Sequence, residues 1–160
     1  MIELHPSCQA VDAVLARWAV PGRVRLLPDA APTAQAAADQ LGCPVGAIAN
    51  SLIFSTAMGE PLLIMTSGAH RVETALVGRA IGVTFKRASA DFVRRATGQP
   101  IGGVAPIAHP APIRTLVDRD LATYEELWAA GGIPHAVFPI GFDDLVRITA
   151  GTVCQVAPRS

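Results

Sequence analysis

Residues 49–57 and 61–66 form two apolar runs on either side of Met58-Gly59-Glu60. Runs of this kind are buried when the chain folds, and so short a break containing glycine leaves room only for a reversal. An antiparallel hairpin at the centre of the molecule follows, and the remaining elements must pack around a sheet.

Those elements alternate irregularly. Ser7 is read as the cap of a helix that carries Val11, Val14, Leu15 and Trp18 on one face and stops at Pro21-Gly22. Residues 23–27 read as a short strand. Pro32-Thr33 opens an alanine-rich helix that ends at Gly42. Val72, Ala75, Leu76 and Arg79 have helical spacing, with Gly82 as the stop, and 83–85 is a short strand. Ser89 starts a helix through Phe92, Val93 and Ala96, closed by Gly98. Residues 112–117 form the next strand. Thr123 and Glu126 have capping-box spacing and predict a helix through Leu127 and Trp128, ended by Gly131-Gly132. A strand at 135–140, a helix at 143–148 and an edge strand at 152–156 complete the chain. Neither a repeat nor a linker interrupts this series, so residues 1–160 are read as one α+β domain with a largely antiparallel sheet.

Composition narrows the partners. With formal net charge +0, bulk positive charge does not hold this chain to nucleic acid, although a small basic patch is compatible with it. Lys86 is the sole lysine; the other cations are arginines, whose donor fork suits phosphate and carboxylate. The three cysteines, Cys8, Cys43 and Cys154, lack zinc or redox spacing and read as reduced thiols. The N-terminus lacks a signal pattern, and no apolar run approaches the roughly 20 residues that span a bilayer. The expectation is a cytoplasmic protein without membrane, metal or cofactor, acting as a monomer or homodimer.

Residues 97–106 carry the strongest functional signal. Here Gly102-Gly103 lies between Pro100 and Pro106, and the run holds no charge. Glycine allows close backbone approach, and proline stiffens the loop. Main-chain groups are therefore expected to face a ligand. The run lacks the Lys-Ser/Thr of a phosphate loop and the spaced glycines of a dinucleotide site. Asn50 and Ser51 open an otherwise apolar strand; the amide can both donate and accept, while Ser51 lacks the Gly-x-Ser-x-Gly setting of an activated serine. Of the four histidines, His5, His70, His109 and His135, no two have metal-pair spacing on one helix. His109 and His135 each follow a glycine pair and are able to handle a proton near neutral pH. Lys86, Arg87, Arg94 and Arg95 form either a solvated face or a phosphate-contacting patch beside the loop.

Several segments together resemble the YbaK/EbsC family of aminoacyl-tRNA deacylases, relatives of the editing domain inserted in bacterial prolyl-tRNA synthetases. The resemblance runs through Pro32-Thr33-Ala34-Gln35, Ile48-Ala49-Asn50-Ser51-Leu52-Ile53-Phe54, Thr66-Ser67-Gly68-Ala69-His70-Arg71-Val72 and Thr97-Gly98 to Pro106. It continues through Leu116-Val117-Asp118, Trp128-Ala129-Ala130-Gly131-Gly132 and Pro134-His135-Ala136-Val137-Phe138. It implies a curved, barrel-like sheet surrounded by helices, and hydrolysis of the ester of a mischarged tRNA, most often tRNA for proline carrying a small amino acid such as alanine or cysteine. The implied partners are the aminoacylated acceptor end of tRNA and prolyl-tRNA synthetase. On this resemblance Asn50, Gly102 and Gly103 form the reacting centre. Thr33, Ser51, Ser67, Gly68, Val104, Pro106, His109 and His135 hold the acyl end, with Val104, Ile107 and Phe54 as walls. Lys86, Arg87, Arg94 and Arg95 contact tRNA. Family members often carry a lysine where this chain has Asn50. Asparagine binds a neutral group but neutralises no negative charge, so the implied alternatives are an altered deacylase and a protein that binds the acylated end without turnover.

Overall fold

The structure is a computed structural model, and it describes residues 4–158. Helix α1 (Pro6–Arg17) starts one residue before the expected cap. Pro6 sits at the first helical position, where its fixed φ and missing N–H cost nothing, so the cap moves back to His5. The His5 Nδ1 accepts from the Ser7 N–H at 3.0 Å. Cys8, Val11 and Leu15 are buried, whereas Trp18 ends the helix and is 42% exposed beneath the Arg147 guanidinium.

The expected strand at 23–27 contracts to β1 (Arg25–Leu26). Helix α2 (Ala34–Leu41) is capped by Thr33, whose Oγ1 accepts from the Ala36 N–H at 3.1 Å. Strands β2 (Ile48–Thr56) and β3 (Pro61–Ser67) form the expected hairpin, in register from Ala49↔Ser67 to Ser55↔Pro61. Then come α3 (Thr74–Ile81), β4 (Phe85–Arg87), α4 (Ala90–Thr97) and β5 (Arg114–Asp118).

The capping-box reading at Thr123 fails. Thr123 closes a short 3-10 turn (Arg119–Thr123), and its hydroxyl donates to the Asp120 carbonyl. Leu127–Ala130 is strand β6, not a helix. Four apolar residues fit either period, and tertiary pairing decides between them. Here β6 pairs in parallel with β2 and antiparallel with β7 (Ala136–Ile140), so its main chain is satisfied on both edges. Helix α5 (Phe142–Thr149) and β8 (Thr152–Cys154) finish the fold.

The eight strands form one sheet in the order β1-β7-β6-β2-β3-β5-β8, with β4 also on β2. Four pairings are antiparallel and three, β2–β6, β3–β5 and β5–β8, are parallel. The architecture is a mixed α+β domain, as expected, with parallel ladders that no local turn announces. Both sheet faces are covered. Val11, Leu15, Met65, Val117, Phe138 and Leu145 pack on one side with α1 and α5. On the other, α3 covers a cluster of Phe54, Leu62, Ile64, Val77 and Leu116, and α2 covers Ile48, Trp128 and Val137. No helix of the described residues is long and apolar enough to cross a membrane.

Candidate functional site

Strand β2 has an unusual outer edge. Its first residues pair with β6, at Ile48↔Trp128 and Ala49↔Ala129. Its last residues pair with β4, from Phe54↔Arg87 to Thr56↔Phe85. Among the described residues, no strand pairs with that edge in between. Main-chain groups alternate sides along a strand. The Ile48 carbonyl accepts from the Gly68 N–H at 2.8 Å and so faces β3, while the Ile53 carbonyl accepts from the Ala88 N–H at 3.4 Å and faces β4. Alternation then directs both the N–H and the C=O of Ser51 into the open interval.

A cavity of about 330 Å³ fills that interval. Thr33 and Ala37 of the α2 region, Asn50 to Phe54 of β2, Arg87, Val93 of α4, Ile101, Gly102, Val104, Trp128, Ala129 and Pro134 line it. Side chains of Asn50 and Ser51 leave the strand on opposite faces. The Ser51 hydroxyl donates to the Met65 Sδ at 3.2 Å rather than to a base. The Thr33 hydroxyl combines its cap with a place on the wall. Among the described residues, Arg87 is the one charged residue in the lining.

The loop that closes the cavity is braced from within. Gly98 ends α4 with φ of 71°. A turn follows over residues 100–103, closed by the Gly103 N–H donating to the Pro100 carbonyl at 3.1 Å. Gly102, its third residue, has φ of 89°, as a type II turn requires. Beneath it the buried Gln99 accepts from the Ala105 N–H at 2.6 Å and donates to the Ile107 and Ala108 carbonyls. The His109 Nε2 donates to the Ala105 carbonyl at 2.8 Å. Burial lowers the His109 pKa from its ordinary 6.5, with the bond to Ala105 opposing. A neutral, donating imidazole braces the loop.

The expected site residues thus divide. Thr33, Asn50, Ser51, Phe54, Arg87, Gly102 and Val104 line the cavity. Gly103 lies behind the lining, because a β-carbon there would meet the Ile133 carbonyl carbon at 2.5 Å. Ser67 and Gly68 do not reach it. The Ser67 hydroxyl donates to the Gly46 carbonyl at 2.8 Å, and a β-carbon on Gly68 would meet the Val45 carbonyl oxygen at 2.6 Å. Pro106 and Ile107 are buried behind the loop, His109 is held by Ala105, and the His135 carbonyl accepts from the Leu27 N–H. Lys86, Arg94 and Arg95 are exposed beyond the lining.

Sequence reasoning missed Gln99 and Asp118. A glutamine between glycine and proline hints at a staple, but its partners lie further along the loop. Asp118, 1% exposed, accepts from the Ser67 and Asp120 N–H groups at 2.9 Å and pairs with the His70 Nε2. His70, Asp118 and Asp120 are also close enough to share an ion, yet both Asp118 oxygens already accept from the chain's own donors. Burial raises the pKa of Cys8, Cys43 and Cys154, keeping these thiols protonated.

Comparison with known proteins adds a family model and three solved structures. Residues 28–148 match the family model described as aminoacyl-tRNA editing domain. The crystal structure of a candidate trans-editing enzyme for prolyl tRNA synthetase superposes with a TM-score of 0.91 at 34% identity, over 98% of this chain and 100% of that one. A scaffold protein from computational epitope backbone grafting gives 0.91 at 32% identity, over 98% and 100%. The hypothetical protein APE2540 gives 0.86 at 26% identity, over 93% and 99%. No curated protein matches.

Proposed function

Because this chain belongs to the aminoacyl-tRNA editing domain family, we propose that it hydrolyses the ester of a mischarged tRNA, acting on tRNA for proline that carries a small amino acid. The observation that carries the reading is the cavity on the open interval of β2, walled by Asn50, Ser51 and the glycine turn. Its size suits an acyl group and part of the terminal nucleoside. Val104, Val93 and Ala129 leave an apolar floor for a short side chain. A synthetase site cannot strongly reject a smaller amino acid, because a missing methylene is worth only about 1–3 kcal/mol. A second pocket that hydrolyses what fits supplies the missing selectivity.

No histidine or carboxylate is in the lining among the described residues. The reading therefore assigns activation of water to the substrate: the vicinal ribose hydroxyl, beside the ester carbonyl, orients the attacking water. The protein supplies position and polarisation. Gly102 main-chain groups face the ester, and one oxyanion donor of this kind is worth roughly 3 kcal/mol in the barrier. Asn50 orients the acyl end as a neutral donor and acceptor. Arg87, with Lys86, Arg94 and Arg95 exposed beyond the lining, meets the phosphates of the acceptor end, and prolyl-tRNA synthetase is the partner that supplies the charged tRNA.

Asn50 favours a second reading, a protein that binds the acylated end without turnover, since asparagine neutralises no developing charge. A deacylation panel separates the two. Transfer RNA for proline charged with alanine, cysteine or serine is exposed to the wild type and to Asn50→Lys. Release of amino acid by the wild type, with a changed preference or rate in the variant, is the expected result. Binding of a charged analogue with no release at high protein concentration selects the second reading.

A further inference from the structure

We propose that the cavity reads the α-substituent of the acyl group as an uncharged hydrogen-bond donor, a hydroxyl or an unprotonated amine, through the main-chain carbonyl of Ser51. Acyl ends derived from α-hydroxy acids are then ligands alongside aminoacyl ends. The inference rests on the acyl-end reading above and goes on to name what the site recognises.

Charge in the cavity carries the argument. An ammonium is costly to bury unless an anion meets it. Among the described residues, Arg87 is the one charged side chain in the lining. Helix α2 turns its N-terminus to the same space at Thr33 and Ala34, adding partial positive charge. The acids on surrounding elements, Asp29 ahead of α2, Asp39 of α2, Asp91 of α4, and Glu125 and Glu126 ahead of β6, lie outside the lining. So do Arg94 and Arg95 of α4, Lys86 of β4, Arg25 above Trp128, and His135. A protonated α-amine entering here meets like charge and no acid. The open interval of β2 offers a neutral acceptor instead, the Ser51 carbonyl left without a strand partner. A hydroxyl or a free amine satisfies that carbonyl; a methylene leaves it without that partner.

Stable amides of 3′-amino-3′-deoxyadenosine with alanine, lactate or propionate test this by calorimetry. Near pH 8.5 the lactate and alanine amides are expected to bind within about threefold of each other, and the propionate amide at least tenfold more weakly. An α-amine gains its proton near roughly pH 7.7–8. The alanine amide should therefore lose about tenfold in affinity by about pH 6.5, and the lactate amide should hold. Arg87→Glu, at an exposed position, should abolish that loss. Alanine binding that is unchanged or tighter at low pH, propionate matching lactate, an unaltered Arg87→Glu profile, or no binding of any amide overturns the proposal. Turnover of charged tRNA is a separate readout. If it fails while the binding order holds, the deacylase reading falls and the inference stands; turnover with the wrong order does the reverse.

Discussion

Gly102 and Gly103 are neighbours with different duties. Gly102 has open space around its α-carbon and needs only its left-handed φ. Alanine there keeps the turn at a cost of about 1–2 kcal/mol. Gly103 has an ordinary φ but sits against the backbone of Ile133 and Pro134, which cannot swing aside as a side chain does. Gly103→Val should remove deacylation and lower stability by about 1–3 kcal/mol through overpacking, while Gly102→Ala keeps measurable activity. Thermal unfolding beside a deacylation assay checks the pair; full activity in Gly103→Val would detach the loop from the chemistry. The sequence made the glycine pair visible, because adjacent glycines between prolines are rare without a backbone reason. It did not reveal which glycine faces the cavity, since that depends on a contact with residues some thirty positions away. Asn50 and Ser51 were legible as a polar pair opening an apolar strand; the role of the Ser51 main chain was not, because it follows from where β4 and β6 stop.

At the scale of elements, the segment after α4 behaves as one unit held by Gln99. Its amide spans the loop from Ala105 to Ala108. Gln99→Leu keeps the volume and leaves buried main-chain groups unpaired, at about 1–3 kcal/mol for each group. It should weaken ligand affinity more than it lowers the unfolding midpoint, which titration of the alanine amide and urea unfolding together report. His109 braces the same loop in its neutral form. Its folded pKa lies below the ordinary 6.5, so the unfolded chain binds the proton more readily. The stability it contributes is present above that ordinary value and is lost as pH falls below it. Urea midpoints should decline between about pH 7 and pH 5, and His109→Gln, which retains the donor without the titration, should flatten the decline. The helices α2 and α4 were legible from their caps and glycine stops, and α3 from its spacing and the Gly82 stop. Strand β6 was not, because a threonine and a glutamate at capping spacing precede four residues that suit either structure, and partners remote in sequence made the choice.

Across the whole molecule, what could be read in advance was whatever adjacent residues settle among themselves. The β2–β3 hairpin is closed by its own turn and stood out at once. The parallel ladders join β2 to β6 and β3 to β5 across long stretches of chain, and their strands carry no mark of a partner. The cavity is bounded by one of those ladders, β2–β6, and by the β2–β4 pairing, so its outline lay beyond sequence reading, although Thr33, Asn50, Ser51, Phe54, Arg87, Gly102 and Val104 of its wall did not. With β2 fastened near both ends, from Ala49 to Phe54, the gap has a fixed length of about 17 Å at roughly 3.3 Å per residue. Parity follows from this. Adding or removing one residue between the two fastenings would reverse the facing of every side chain beyond it and break the ladder with β4 or with β6. The aperture is thus quantised: descendants of this chain can widen or narrow it by pairs of residues, and by ones only if the fold pays with a bulge.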